Sequence, residues 1–122
     1  MSQFLLIAAA VATILTAFVH SYFGERRLIG PLLALRHGVT ASLLARQVIR
    51  LAWHLTAVLW AGQAALLLRA AFAPQAYDRA MVGGIGLVYL ALGLFDAVYT
   101  RGKHIGWPLL AAIGVLALLA LI

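Results

Sequence analysis

FLLIAAAVATILTAFVHSY, residues 4–22, decides the fold, because it contains no Asp, Glu, Lys or Arg and neither Gly nor Pro. An α-helix rises about 1.5 Å per residue and the hydrocarbon core of a bilayer is about 30 Å thick, so about 20 such residues suffice to cross it. Residues 48–71, 80–99 and 105–122 are apolar over comparable lengths. The expected fold class is therefore all-α: an integral membrane protein built as one compact bundle of four transmembrane helices. The segment 24–47, which mixes charged and apolar residues, is expected to be a loop or an interfacial helix. Gly30-Pro31 would be its turn or start signal, and residues 32–47 would lie along the interface or extend the second helix.

Composition supports that solvent assignment. Of 122 residues, 66% are hydrophobic and only 10% are charged, a balance far more apolar than water-soluble domains show. The formal charge of +6 does not point to nucleic acid, because the basic residues punctuate apolar segments rather than forming a stripe. Contact with anionic lipid and control of orientation explain them better. The absence of cysteine removes disulfides, thiolate catalysis and thiolate metal ligands. No nucleotide-binding glycine loop or HExxH motif is present either, so no motif assigns an enzymatic activity. The first apolar stretch lacks the basic residues that open a signal peptide and is long for one, so it reads as a retained helix.

Four crossings put both termini on one side. Arg26, Arg27, Arg36, Arg46, Arg50, Arg101 and Lys103 then fall on the opposite side, with only Arg69 and Arg79 facing them. Short basic loops resist translocation, so the first loop and the third turn are expected to be cytoplasmic and the termini non-cytoplasmic, in a bacterial inner membrane. Tyr22, Trp53, Tyr99 and Trp107 would sit at the basic interface and Tyr77 at the other. Pro74 marks the second turn, and Pro108 falls in the first turns of the last helix, where a missing N–H costs little.

The same topology gathers polar residues that are distant in sequence. His20, His54, Asp96 and His104 all approach one leaflet, and Glu25 and His37 can join them from the adjoining loop. Imidazole nitrogens and carboxylate oxygens are ligands for zinc, manganese or iron, so His20, His54, His104, Asp96 and Glu25 form a candidate divalent-metal set that could activate water in a small membrane metalloenzyme. A bis-histidine haem is a weaker alternative, because helix bundles can place two axial ligands across a ring. The noncatalytic reading makes the chain a lipid-binding or membrane-complex subunit, with Arg26, Arg27, Arg50 and Lys103 holding anionic groups. An oligomeric transporter is a further alternative. The partners expected are membrane lipids, further copies or a larger complex, and no nucleic acid.

Each of these residues also has a structural reading. His20 and His104 suit the headgroup boundary, His37 suits a loop, and Glu25 can pair with neighbouring arginines. Asp96, inside an apolar span, requires a partner, a metal, a proton or water. Thr13 and Thr16 can satisfy carbonyls of their own helix. Gln63 needs a partner but points opposite His54. Gly83, Gly84, Gly86 and Gly93 are expected to let the third helix pack closely.

Overall fold

The computed structural model describes residues 2–73, 75 and 78–122. Pro74 and Tyr77, read above as a turn marker and an interface anchor, lie outside them. Four helices follow in antiparallel order: α1 (Ser2–Ala34), α2 (Leu43–Phe72), α3 (Arg79–Tyr99) and α4 (Trp107–Leu119). α1, α2 and α3 are long and apolar enough to cross a membrane, whereas α4 is apolar but has 13 residues.

The largest difference from expectation is at 24–47. α1 does not stop near Tyr22 but runs on through two widened π turns, Val19–Phe23 and Glu25–Ile29, and then Gly30–Ala34. Pro31 does not break it, because the Gly30 N–H already reaches back to the Glu25 carbonyl, and a ladder loosened in this way loses little when the next donor is missing. Gly24 gives the neighbouring helix room: a methyl group there would collide with the Trp53 ring. The chain reverses around Arg36 and Gly38, both with positive φ. Ser42 then caps α2, accepting from the Ala45 N–H at 3.4 Å. At about 1.5 Å per residue, α1 and α2 reach roughly 50 and 45 Å, well beyond a hydrocarbon core of about 30 Å. Hydropathy marks where a helix leaves lipid. It does not mark where the helix ends.

The core is lined by small residues at helical spacing. Leu6, Ala9, Ala10, Thr13, Thr16 and Ala17 form the buried stripe of α1, against Ala64, Leu67 and Ala71 on α2 and Ile113 and Ala117 on α4. Thr13 and Thr16 donate to the carbonyls of Ala9 and Ala12, each at 2.8 Å, so their hydroxyls are satisfied locally. α3 and α4 approach until backbones touch: a methyl on Gly93 would strike Ala111, and one on Gly114 would strike Leu90 and Gly86. Gly84, by contrast, faces open space. Asp78 caps α3 through the Ala80 and Met81 N–H groups at 2.9 and 3.1 Å. Arg79 ties the start of α3 to the residues following α4 by donating to the Leu121 carbonyl at 2.6 Å.

The outer surface is apolar on every helix. Val11, Ile14, Leu15 and Phe18 on α1, Leu55, Val58 and Leu59 on α2, Leu87, Val88, Leu92 and Phe95 on α3, and Val115 and Leu119 on α4 are all exposed. A continuous exposed apolar belt is untenable in water and is the natural surface of a bundle in lipid. The molecule is a small, all-α, membrane-spanning protein.

Candidate functional site

Polar side chains concentrate where α1 widens. The His20 carbonyl there accepts from the Gly24 N–H, and α2 adds a second donor to it. The Trp53 indole donates to the His20 carbonyl at 3.1 Å, while His20 Nε2 donates to the Trp53 carbonyl at 3.2 Å. The two rings stack with centroids 4.1 Å apart, and Trp60 meets His20 edge-on at 5.0 Å. This reciprocal clasp fixes the orientation of His20 and leaves its Nδ1 without a hydrogen-bond partner among the described residues.

One turn further along, a second group bridges the same helices. Glu25 Oε1 accepts from Arg50 at 2.9 Å and Oε2 from His54 Nε2 at 3.2 Å. With Nε2 donating, the Nδ1 of His54 accepts a hydrogen bond from the Ser21 hydroxyl, 2.7 Å away. The chain Ser21, His54, Glu25, Arg50 thus satisfies every member by one helix reading the other. Replacing Glu25 with Ala is expected to destabilise the fold by about 1–3 kcal/mol, because two donors lose their acceptor at once. Arg50 is half-exposed, which keeps the loss below that of a fully buried pair. Equilibrium unfolding in mixed micelles measures it, with Ser21→Ala expected to cost less.

A third group lies across the bundle on α3 and the turn into α4. His104 Nδ1 donates to Asp96 Oδ2 at 2.5 Å. The Thr100 hydroxyl donates to the Asp96 carbonyl at 2.6 Å and accepts from the His104 N–H at 3.4 Å, holding the turn. The Asp96 side chain is only 18% exposed and that of His104 58%, so the imidazole is what shields the carboxylate from its apolar surroundings. His104 Nε2 has no hydrogen-bond partner among the described residues.

The five expected metal ligands are therefore distributed: Glu25 with His54, Asp96 with His104, and His20 clasped to Trp53. Among the described residues, no three histidine or carboxylate groups are gathered as a metal set. The anion-binding residues are also parted. Arg26 and Arg27 lie over the rings of Tyr22 and Phe23, at 4.5 and 5.3 Å, Arg50 is held by Glu25, and Lys103 is exposed in the third turn. His37 is exposed at the tip of the reversal, where its carbonyl accepts from Thr40. Gln63 finds its partner on the opposite face from His54, accepting from the Tyr89 hydroxyl at 2.7 Å.

What the structure adds is a cavity of about 510 Å³ between α1, α2, α3 and the start of α4. His20, Asp96 and His104 reach it, together with Arg27, and its walls are Val19, Phe23, Trp53, Trp60, Leu92, Phe95, Leu109 and Leu110. Phe23, Leu28, Phe95 and Ile105, which also line it, are exposed on the outer surface, so the cavity has exposed apolar side chains at its rim. An apolar recess with a few convergent polar groups is the usual form of a small-molecule site. Of the tryptophans that build it, Trp53 was visible in the sequence only as an interface anchor and Trp60 was not singled out, and Ser21 carried no signal at all. Comparison with known protein families, curated proteins and solved structures finds no match for this chain.

Proposed function

We propose that the chain is a four-span membrane protein that holds an amphiphile in this lateral cavity, with the ligand's polar head at His20, Asp96 and His104 and its apolar part against Phe23, Leu92 and Phe95. The observation that carries this reading is the lining: His20, Asp96 and His104 share one recess with exposed apolar side chains at its rim, Phe23, Leu28, Phe95 and Ile105, which in a bilayer would meet lipid. Such a site admits a molecule already dissolved in the bilayer. Four crossings are supported by the Arg79 to Leu121 bond, which brings the end of α4 level with the start of α3, a helix of spanning length. In this reading the cavity lies in the cytoplasmic leaflet and both termini are non-cytoplasmic, an orientation that the bias of short basic loops supports.

Mass spectrometry of protein isolated in native bilayer discs tests the reading. A specific amphiphile is expected to be enriched over bulk lipid, and Leu110→Trp, which fills the cavity, is expected to reduce its retention at least about tenfold, given that ligand and indole compete for one volume. Equal retention by wild type and Leu110→Trp refutes the proposal. A stoichiometric divalent metal, or a Soret band, in the same preparation would assign the cavity to His20 and His104 as ligands of a metal or haem instead.

A further inference from the structure

A separate cleft of about 580 Å³ lies between the projecting ends of α1 and α2, lined by Arg36, Arg46, Arg50 and His54 with Gln47, Leu33, Leu43 and Leu51 among its walls. Three guanidinium groups face it, and the carboxylate beside them, Glu25, already has both oxygens committed to Arg50 and His54. Positive charge at this cleft therefore exceeds negative charge, an arrangement that repels itself unless an anion enters.

The arginines are held in three different ways. Arg46 Nη1 donates to the carbonyls of Thr40 and Ala41 at 2.8 and 2.9 Å, which fixes the plane of the guanidinium and leaves its other nitrogens for a ligand. Arg50 is fixed through Glu25. Arg36 has no hydrogen-bond or ion-pair partner among the described residues, and its φ of 51° is a left-handed conformation that is costly for a side chain with a Cβ. A glycine would sit there without strain. An arginine there keeps a free guanidinium at the cleft.

We propose that this cleft binds a phosphate group through Arg36, Arg46 and Arg50, and that the phosphate belongs to an anionic phospholipid. Planar forks match phosphate oxygens in pairs. The lipid source is argued from the rim: Leu35, Leu43, Leu44 and Val39 are all exposed around the reversal, offering an apolar surface to acyl chains next to the guanidinium groups. This site stands apart from the lateral cavity and does not depend on it.

The test uses the full chain in detergent and in bilayer discs. Discs of phosphatidylcholine with or without phosphatidylglycerol are compared by counting retained lipids, and inorganic phosphate is titrated calorimetrically. Wild type is expected to retain phosphatidylglycerol in preference to phosphatidylcholine, and Arg36→Gln with Arg46→Gln to weaken that preference about thirtyfold, as two headgroup-facing charges are lost. Arg26→Gln with Lys103→Gln removes the same charge outside both the cleft and the lateral cavity and is expected to leave the preference within about twofold, since only cleft arginines reach the bound phosphate. Because Arg46 also braces the reversal, Arg36→Gln alone, which breaks no contact, keeps the test valid if the double variant misfolds; it is expected to weaken retention about fivefold. Equal losses in the two double variants overturn the site. Tight binding of inorganic phosphate without any preference between the lipids overturns the lipid source and assigns the cleft to a soluble phosphate.

Discussion

Gly114→Leu is expected to abolish the folded bundle, and Gly84→Leu, an identical change on the neighbouring helix, to leave it intact. Both glycines belong to the α3–α4 pair, and helix propensity treats them alike. Their surroundings differ. A Cβ on Gly114 would meet the Leu90 backbone and the Gly86 carbonyl, whereas one on Gly84 meets nothing within 4 Å. Obstruction by a flexible side chain can relax, but obstruction by backbone forces the helices apart and opens every contact along their length. The cost is expected at or above the upper end for overpacking, about 3 kcal/mol. Gly84→Leu should stay within about 0.5 kcal/mol, as for other surface positions. Unfolding in mixed micelles, read by far-ultraviolet circular dichroism, separates the two. In lipid no water-driven term compensates for lost packing, so a stable Gly114→Leu protein would show that α3 and α4 are not packed as described.

How much of this was legible in the sequence depends on what each signal encodes. Apolar length identified the helices, because the bilayer imposes it. It could not locate the end of α1, since Glu25, Arg26 and Arg27 forbid hydrocarbon but not helix. Gly30-Pro31 looked like a boundary, yet a preceding π turn neutralises the proline, and π turns have no sequence signature. Spacing correctly separated Gln63 from His54 by half a turn, and it placed His20, Asp96 and His104 toward one end. What spacing cannot supply is rotation between helices. His54 lines one cleft while His20 and His104 line another recess, a distinction set by how the helices cross rather than by any residue alone. The arginines of the cleft illustrate the same limit: Arg36 and Arg46 are ten positions apart in a segment read as loop, and only the reversal between α1 and α2 brings them together.

The Asp96–His104 pair provides the sharper test of whether the polar end exists for binding or for stability. His104→Ala leaves the Asp96 carboxylate facing apolar walls with no donor, so a loss of about 1–3 kcal/mol is expected. Replacing both residues with leucine removes the charge together with its partner. Hydrophobic replacement of both members of a polar pair can be neutral or stabilising, and an Asp96 side chain that is 18% exposed and lines a recess with Phe95, Leu92 and Leu109 carries the desolvation cost that such a replacement removes. The double variant is therefore expected to be at least as stable as wild type and to retain the cavity's amphiphile at least about tenfold less, having lost the polar end that orients it. The two measurements separate the alternatives. A pair that serves only to hold the third turn would show the reverse pattern, in which the double variant is as destabilised as His104→Ala and ligand retention is unchanged. Stability gained together with binding lost is the signature of polar groups kept in hydrocarbon for a ligand.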